Sequence, residues 1–519
     1  MQVEYFLEAS ARRLPEKVAL VCGGRRLSYS AIDRDCNKLA RRLVDAGVSR
    51  GDRVAIYLEN SVETVISIFA TLKAGAVFMV VNPTTKADKL AFILNNSRAA
   101  ALITDGRRTA VVTEIADRTP HTGIVVLARS AGDQALADAA VGKQVLSFDD
   151  AIQSASDDSK PENRSIDVDL AALIYTSGST GTPKGVMLTH LNIVSAATSI
   201  TTYLENVEDD IILNVLPLSF DYGLYQLLMA FKMSATLVLE RSFAFPHAVL
   251  ETAVAERVTG FPIVPTISAL LLQLDLGKYD LSRVRYITNT AAALPTKHIL
   301  ELRARLPHAR LFSMYGLTEC KRVSYLPPDQ IDVRPTSVGR GMPNEEVYIV
   351  DDQGNRLKTG VGELVVRGSN VMKGYWEMPE ETARMLRPGA LPWEKVLYSG
   401  DLFRMDEEGY LYFLGRKDDI IKTRGEKVSP REVENVLYEL AGVSEAAVVG
   451  VADSILGQAI KAVVTLKPGA QVTEQDVLRH CSQRLENFMV PKVVEFREAM
   501  PKTSSGKIDK KTLHVAVAS

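Results

Sequence analysis

Helical and strand-like patterns of apolar residues alternate along the N-terminal part of the chain. The segment YSAIDRDCNKLARRLVDAG, which ends at Gly47, has apolar residues at helical spacing, and DRVAIYLEN after it predicts a strand. VETVISIFATLKAGA predicts another helix and VFMVVNP another strand, and LAALIYT, ATLVLE, VRYITNT and ARLFSMYG continue this order. Nearly continuous apolar strands separated by helices are typical of parallel sheets covered on both faces, so the pattern predicts an α/β fold. The polar, weakly periodic segment from Ala131 to Asp169 predicts a surface connection.

The pattern changes after Val338. EVYIVDDQGNRL predicts a hairpin with its turn at Asp352 to Asn355, and GELVVRG and GYLYFLGR predict short strands. A small β-rich subdomain is therefore expected to follow the parallel sheets.

A compact α+β unit is predicted at the C-terminus. In SPREVENVLYEL, Ser429 is the expected N-cap and Pro430 the first helical residue, and Glu432 would complete a capping box. The strands EAAVVGVAD and AIKAVVTLK and the helix EQDVLRHCSQRL follow, which gives a unit of domain size. We place the boundary at the charged joint GRKDD, with domains at residues 1–415 and 416–519.

Composition narrows the classes of function. The 519-residue chain is 46% hydrophobic and 24% charged, so it can bury the cores of more than one domain. Its formal net charge of −2 provides no basic surface for nucleic acid. The four cysteines have no CxxC spacing, which argues against a zinc site and fits a reducing compartment. Because a signal pattern and a long apolar run are both lacking, we expect a soluble, cytoplasmic protein without a membrane span.

One stretch is rich in hydroxyl groups and glycines. YTSGSTGTPKGVMLTH, from Tyr175 to His190, lies between an apolar run and a helix-like run. It fails the Walker pattern because Lys184 precedes Gly185 rather than Ser or Thr, and no GxGxxG opens a helix in this sequence. Its hydroxyl and backbone N–H groups could still surround phosphates, with Lys184 as a point charge. The alternative is a mobile surface loop.

YTSGSTGTPKG resembles the signature of the adenylate-forming superfamily, which includes acyl-CoA synthetases, luciferases and the adenylation domains of peptide synthetases. Further motifs of that superfamily follow in its order: YGLTE from Tyr315, YSGD from Tyr398, GRKDDIIKTRGEKVSPREVE from Gly415 and PKTSSGKIDK from Pro501. Together they identify the chain as a member. The resemblance implies a large N-terminal domain of parallel βαβ sheets with a β-rich subdomain, and a small mobile α+β C-terminal domain.

The resemblance also implies a reaction. Members use ATP and Mg²⁺ to convert a carboxylic acid into an acyl adenylate and pyrophosphate, and then transfer the acyl group to a thiol. The acceptor would be CoA or the phosphopantetheine arm of a carrier protein in trans. A displacement at phosphorus mainly requires alignment and cations that face the developing charge. A luciferase-like oxygenase and a non-catalytic nucleotide binder are the rival classes.

Most of the matched residues are assigned to the nucleotide. By resemblance, Thr318 is expected at the α-phosphate, and Glu319 is expected to ligate Mg²⁺. Tyr315 is expected to stack on adenine, Asp401 to bind the ribose, and Arg416 to reach the ribose and α-phosphate. The remaining nucleotide contacts are expected from Thr176, Ser177, Gly178, Ser179, Thr180, Gly181, Thr182 and Lys184 at the pyrophosphate end, and from Thr290, Ala291 and Ala292 beside adenine.

Three residues near the C-terminus match positions with special roles. Lys507 matches the lysine that holds the substrate carboxylate during adenylation, although an exposed lysine is the default for such a loop. Asp418 matches the hinge about which the C-terminal domain rotates. Gly425 matches the glycine that lets the thiol tunnel pass.

The acid pocket departs from the pattern of many acyl-CoA ligases, which have LPLFH or LPMFH. Here the sequence is LPLSFDYGL, with Phe220 and Asp221. Amino-acid adenylation domains have a similar FD whose Asp binds the amine, so we predict an amino-acid substrate and favour a carrier protein as acceptor. A fatty or aryl acid with free CoA is the alternative, in which Asp221 is ion-paired within the protein. The predicted substrate contacts are Phe220, Asp221, Asn289 and Lys321. Lys321 and Arg322 could pair with Asp221, bind a second acidic group on the substrate, or be solvated.

Overall fold

The computed structural model describes residues 1–128, 142–153, 157–162, 164–177, 183–417, 419–423, 426–453, 456–503 and 507–513. The α-helices among these residues, numbered in chain order, are α1 (Tyr5–Arg13), α2 (Tyr29–Asp45), α3 (Val62–Lys73), α4 (Ala87–Ser97), α5 (Thr109–Ile115), α6 (Phe148–Gln153), α7 (His190–Tyr203), α8 (Asp221–Lys232), α9 (Pro246–Ala255), α10 (Pro265–Gln273), α11 (Thr296–Arg305), α12 (Pro379–Met385), α13 (Pro430–Glu439) and α14 (Glu474–Ser482).

Two large sheets form the N-terminal part of the molecule. A nine-stranded sheet contains β1 (Val18–Cys22), β2 (Arg25–Ser28), β10 (Ile211–Asn214), β11 (Thr236–Leu239), β12 (Gly260–Ile263), β13 (Tyr286–Asn289), β14 (Arg310–Tyr315), β15 (Ser324–Tyr325) and β16 (Arg340–Gly341), in the order β16-β15-β14-β13-β12-β10-β11-β1-β2. An eight-stranded sheet contains β3 (Arg53–Ile56), β4 (Val77–Val80), β5 (Ala99–Asp105), β6 (Ile124–Ala128), β7 (Gln144–Ser147), β8 (Leu170–Ser177), β9 (Pro183–Thr189) and β20 (Gly374–Tyr375), in the order β20-β9-β8-β4-β3-β5-β6-β7.

Two smaller sheets follow. The six-stranded sheet contains β17 (Glu345–Val350), β18 (Arg356–Leu357), β19 (Gly360–Gly368), β21 (Leu386–Pro388), β22 (Lys395–Met405) and β23 (Leu411–Arg416). The five-stranded sheet contains β24 (Ile421–Thr423), β25 (Glu426–Val428), β26 (Val443–Asp453), β27 (Gly457–Leu466) and β28 (Val493–Phe496). The predicted α/β fold with a β-rich unit and a C-terminal α+β unit is confirmed.

The central strands of both large sheets are parallel, as their apolar sequences predict. In the nine-stranded sheet, β10 to β14 are parallel neighbours, and β11 also pairs in parallel with β1. All four residues of β13 are buried, and so are all residues of α3. Helix α3 is therefore an interior helix rather than an amphipathic surface helix. One continuous buried cluster contains side chains from both large sheets and from the six-stranded sheet, whereas the five-stranded sheet has its own buried clusters.

Some local predictions are wrong in ways that the structure explains. Helix α13 begins at Pro430 as predicted, but the Ser429 side chain makes no capping hydrogen bond and instead donates to the carbonyl oxygen of Leu414. The helix-like run after the glycine-rich stretch is confirmed as α7, whereas the strand β9, which lies within that stretch, was not predicted. Within the segment predicted as a surface connection, β7 and α6 form and Phe148 is buried. The hairpin between β17 and β18 is confirmed.

Candidate active site

The candidate residues meet where several parallel strands end. Strands β13 and β14 are parallel neighbours, so their carboxyl ends lie at one edge of the nine-stranded sheet. The segment 289–292 starts at the last residue of β13 and the segment 315–319 at the last residue of β14, while Asp221 begins α8 after β10. Ligands of open α/β sheets bind in the crevice outside the carboxyl ends of the strands. The topology thus brings these three segments to the expected edge.

The glycine-rich turn joins two antiparallel strands. Residues 178–182, and with them the predicted contacts Gly178, Ser179, Thr180, Gly181 and Thr182, lie outside the described residues. The backbone of Thr176 pairs with that of Lys184 across β8 and β9, and Ser177 pairs with Pro183. The described residues on either side of 178–182 therefore belong to paired strands, and the segment after them begins as a strand rather than as a helix.

Lys184 is fixed by neighbours from a distant part of the chain. Its amino nitrogen lies 2.5 Å from Oε2 of Glu381, on α12, and 5.4 Å from the ring centroid of Tyr375. This ion pair lowers the pKa of Glu381. Strand β20 brings Tyr375 there because it pairs with β9. Gly374 has φ +134°, and a Cβ atom would lie 2.5 Å from a side-chain atom of Thr382, so the tight approach requires glycine.

Tyr375 also orients the predicted metal ligand. Its hydroxyl donates to Oε1 of Glu319 at 2.7 Å. Burial, together with the Glu319 carboxylate, raises the pKa of Tyr375, so the phenol remains protonated as a donor. Sequence reasoning missed both Tyr375 and Glu381. The only sequence signal was their position in GYWEMPEE, downstream of the YGLTE motif, and it does not predict contact with Lys184 or Glu319.

The loop that carries Thr318 and Glu319 is tightly wound. The amide of Lys321 donates to the carbonyl oxygen of Leu317 at 2.7 Å, and that of Val323 donates to Tyr315 at 2.9 Å. A Cβ atom on Gly316 would lie 2.0 Å from the carbonyl oxygen of Lys321. Both Thr318 and Glu319 are half-buried.

The residues predicted at the ribose already contact one another. Asp401 and Arg416 are directly opposite on the antiparallel strands β22 and β23, which explains their spacing of fifteen residues. Arg416 Nε lies 3.2 Å from Asp401 Oδ1, and Tyr315 donates its hydroxyl hydrogen bond to Oδ2. Burial raises the pKa of Asp401 despite these two partners. The Tyr315 ring packs against Phe403 at 4.8 Å between centroids.

The segment predicted beside adenine starts from buried residues and contains a strained one, while Ala292 is exposed. Asn289 donates to the carbonyl oxygen of Ala292 at 3.0 Å, while its own Oδ1 and the hydroxyl of Thr290 are buried without a hydrogen-bond partner in the described structure. Ala291 has φ +74°, a left-handed conformation that is costly for alanine. Unpaired buried polar atoms and strain at a strand end are typical of ligand sites.

Three of the predicted acid contacts, Phe220, Asp221 and Lys321, lie near one another. Phe220 precedes α8 and Asp221 is its first residue, 7% exposed. Lys321 is 1% exposed and Arg322 2%, so the expectation that they are solvated is excluded. Burial lowers the pKa of Lys321 to about 8, and Asp221 is the carboxylate that most opposes this shift.

Lys507 approaches the predicted acid contacts from the C-terminal unit. An antiparallel bridge between Lys502 and Ile508 closes its loop, and the Lys507 amide donates to the Thr503 hydroxyl at 3.2 Å. The amino nitrogen lies 5.9 Å from the centroid of the Phe220 ring. The residue keeps exposed surface, but burial of its amino group lowers its pKa, and Asp221 is the carboxylate that most opposes this effect.

Other contacts hold the C-terminal unit beside the site. Arg431 of α13 reaches the carbonyl oxygen of Leu294 at 3.5 Å. The Tyr438 ring, also on α13, lies 6.2 Å from the His298 ring on α11. Asp418 and Gly425, predicted as hinge and tunnel residues, lie outside the described residues.

Two further observations concern membrane-spanning helices and metal-binding clusters. In the part of the chain that the structure describes, no helix is both long and apolar enough to cross a membrane. The same residues contain no group of three or more His, Cys, Asp or Glu side chains able to hold a metal ion.

Sequence comparison matches the chain to two family descriptions. Residues 7–376 match "AMP-binding enzyme", and residues 432–507 match "AMP-binding enzyme C-terminal domain". A long-chain-fatty-acid–CoA ligase of Bacillus subtilis (strain 168) is 33% identical, over 98% of this chain and 94% of the relative. A linear gramicidin synthase polypeptide of Brevibacillus parabrevis is 30% identical over 98% of this chain, which corresponds to 6% of that much longer protein. The solved structure of the anthranilate CoA ligase AuaEII in complex with anthranoyl-AMP superposes with a TM-score of 0.89 and 26% identity, covering 99% of this chain and 96% of that one.

Proposed function

Because the chain belongs to the AMP-binding enzyme family, we propose that it is an ATP-dependent, AMP-forming ligase that joins a carboxylic acid to the thiol of CoA. In the first half-reaction a carboxylate oxygen attacks the α-phosphorus of ATP and pyrophosphate leaves. In the second the CoA thiolate attacks the acyl carbon of the adenylate and AMP leaves.

The observation that carries this proposal is the convergence of cations and carboxylates from distant segments on one strand edge. Lys507 approaches Phe220 from the C-terminal unit, and Lys184 comes from the glycine-rich hairpin. Asp401 and Arg416 form a pair beside the end of β14. Cations held in place before the reaction stabilise charge that develops in the transition state, which is the main demand of attack on a phosphate.

The residues present fit Mg²⁺. Glu319 offers a half-buried carboxylate whose Oε1 is oriented by the Tyr375 hydroxyl. Mg²⁺ is commonly held by one or two carboxylates together with substrate phosphates. When bound, the ion would supply positive charge against phosphate oxygens, while Tyr375 keeps the carboxylate aligned.

The domain boundary at residues 415 and 416 and the hinge at Asp418 belong to this proposal. The six-stranded sheet ends at Arg416 and the five-stranded sheet begins at Ile421, so only a few residues connect them. A rotation there would remove Lys507 from the pocket after the first half-reaction and admit the thiol, with Gly425 lining its path.

CoA is the preferred acceptor, and this revises the preference for a carrier protein. The B. subtilis relative and AuaEII are both named as CoA ligases, and both cover nearly the whole chain. The match to a gramicidin synthase supports amino-acid activation as a second candidate. Asp221, however, interacts with Lys321 and Lys507, so the protein itself supplies cations for the carboxylate that was predicted to bind an amine.

The test is acid-dependent formation of AMP and pyrophosphate, measured over fatty, aryl, dicarboxylic and amino acids with and without CoA. The proposal expects at least one non-amino acid to form its thioester with CoA. Exchange of pyrophosphate with an amino acid, combined with inertness toward CoA, would overturn it and support the carrier-protein candidate.

A further inference from the structure

The consecutive cationic side chains of Lys321 and Arg322 are buried against α8, the helix whose first residue is Asp221. The amino nitrogen of Lys321 lies 5.6 Å from the centroid of the Tyr225 ring, and the guanidinium carbon of Arg322 lies 4.6 Å from that of Tyr222. Tyr222 and Tyr225 are one turn apart on α8, immediately after Asp221. The two cations therefore lie along the same helical surface that carries Asp221.

Neither cation has a close counter-ion in the described structure. Lys321 Nζ is buried without a hydrogen-bond partner there, and the same is true of Arg322 Nε and of the Tyr225 hydroxyl. No carboxylate oxygen of the described residues lies within 4.0 Å of either cation. Arg322 has uncharged partners: the Tyr203 side chain forms a hydrogen bond with it, and Nη1 donates weakly to the carbonyl oxygen of Lys321 at 3.5 Å. Burying a charge without a partner is strongly unfavourable, so these donors call for an acceptor.

The backbone holds the cations in this position. Lys321 has φ +72°, a left-handed conformation that a lysine rarely adopts. The side chain of Asn370 donates to the carbonyl oxygens of Cys320 and Arg322, at 2.8 and 3.3 Å, and thereby fixes both ends of the segment. Strain that the surrounding structure maintains is frequent at ligand sites. The surrounding structure therefore holds the two cations in this position.

The charges of the pocket leave positive charge unbalanced. Asp221 interacts with both Lys321 and Lys507, and Glu319 is the proposed metal ligand. Glu345 lies near this segment, since Asn370 also donates to it at 2.9 Å, but burial raises its pKa and favours its neutral form. Asp221 is thus shared between Lys321 and Lys507, Glu319 acts on the same two cations but is the proposed metal ligand, and Arg322 is buried beside Lys321 without a close carboxylate among the described residues.

We propose that the acid pocket accepts a substrate with a second anionic group, such as a dicarboxylic acid, whose distal carboxylate binds Lys321 and Arg322. This inference rests on the proposed function and specifies its substrate class. The distal carboxylate would accept hydrogen bonds from Lys321 Nζ, Arg322 Nε and the Tyr225 hydroxyl. The reacting carboxylate would remain at Lys507.

The test compares matched acids that differ only in the second charge. Succinate and butyrate, glutarate and valerate, and phthalate and benzoate are supplied with ATP and CoA, and kcat/KM is measured from AMP formation. The wild type should favour a dianionic acid over its partner by at least about tenfold, the discrimination expected when a buried charged group gains its counter-ion. In the absence of CoA, that diacid should also raise the Tm more than the monoacid does.

Substitutions at Lys321 and Arg322 test whether these side chains cause the preference for diacids. Lys321→Met keeps the length of the stem and the β-carbon, so the backbone strain is unchanged, and Arg322→Met removes the second charge. Each variant should lower the ratio of diacid to monoacid kcat/KM by about tenfold or more. Lys321→Met should not lower the Tm of the free protein, because it removes a buried charge without a close partner. Lys232→Met, at the far end of α8, is the control and should leave the ratio unchanged.

The outcomes separate the two proposals. If only monoacids form CoA thioesters, or if Lys321→Met and Arg322→Met reduce both members of a pair in proportion, the second-anion subsite is wrong while the ligase proposal stands. A fall in Tm of several degrees in Lys321→Met would also count against it, since that would identify Lys321 as structurally paired. If no acid is converted with CoA, both proposals fail.

Discussion

At the scale of single residues, Lys507 and Tyr375 have different neighbours, so we expect different roles for them. Lys507 approaches the acid side next to Phe220, whereas Tyr375 contacts Glu319 and lies under Lys184. A cation beside the reacting carboxylate acts on the chemical step, and a hydroxyl that orients a metal ligand acts on metal affinity. Separate measurements can therefore distinguish the two roles.

Lys507→Ala should reduce ATP–pyrophosphate exchange by at least about a hundredfold, because removing a preorganised cation from a transition state typically costs about 3 kcal/mol. Transfer to CoA from chemically prepared adenylate should survive. Lys507→Arg keeps the charge but not its compact shape, and we expect only partial recovery. If ATP–pyrophosphate exchange is unchanged in Lys507→Ala, the role assigned to Lys507 in adenylation is wrong.

Tyr375→Phe should raise the Mg²⁺ concentration needed for half-maximal activity by about tenfold, the usual effect of losing a partner of a metal ligand. The ring remains, so the contact with Lys184 is retained and the KM for ATP at saturating Mg²⁺ should change little. Tyr348→Phe, on β17, is a matched control. An effect on maximal activity alone, with the same Mg²⁺ dependence, would contradict a positioning role.

At the scale of secondary-structure elements, helix α12 holds the cation beside the glycine-rich hairpin. Glu381 lies in its first turn and accepts from Lys184 on one carboxylate oxygen and from Arg384 on the other, at 2.5 and 2.6 Å. Arg384 is 69% exposed, whereas Lys184 is 13% exposed. We therefore expect the contact between Glu381 and Lys184 to affect the site more than the contact between Glu381 and Arg384.

Glu381→Gln should raise the KM for ATP about threefold with little change in kcat, because a partly exposed ion pair contributes about 0.5–1 kcal/mol to holding Lys184 in place. Arg384→Met removes the outer partner of the same carboxylate and should leave the KM for ATP unchanged. A lower KM in Glu381→Gln would mean that Glu381 competes with phosphate for Lys184.

Elements that depend on local pattern were predictable, and those that depend on distant partners were not. The apolar periods of α2 and β13 predicted their type because burial follows the repeat. Strand β9 was not predicted, because seven residues within the glycine-rich stretch give no decisive period and pairing with β8 and β20 defines the strand. Ser429 had the sequence of a capping box, but a carbonyl of β23 binds its hydroxyl. The burial of Lys321 depends on Tyr225, almost a hundred residues away in sequence.

At the scale of the whole molecule, His298 lies at the contact between the N-terminal part and the C-terminal unit. Its Nδ1 lies 2.9 Å from the Ser268 hydroxyl and its ring faces Tyr438. Burial lowers the pKa of His298 from 6.5 to about 4, opposed by Glu301 and assisted by Lys467 and Lys297. Protonation should therefore disfavour this arrangement of the two parts.

The sign of the pH effect follows from the lowered pKa. Because the docked form prefers neutral His298, the arrangement should be fully stable above about pH 6.5 and lose stability as the pH falls toward 4, by at most about 3 kcal/mol. Pyrophosphate exchange in the wild type should decline over this range more steeply than in His298→Gln, which can still bond Ser268. If the pH profiles of the wild type and His298→Gln are parallel, protonation of His298 does not cause the loss of activity.

The two large sheets are interleaved along the chain. Strands β1 and β2 form the edge of a sheet whose other strands begin at Ile211, while the intervening residues build the eight-stranded sheet, which is itself completed by β20. During synthesis the first strand must wait for about two hundred further residues before β11 exists to pair with it. Such long-range parallel pairing makes folding slow and leaves strand edges open to aggregation. Strand β1 therefore keeps the edge that pairs with β11 open until residues Thr236–Leu239 have been synthesised, and this edge is exposed to wrong partners during that time.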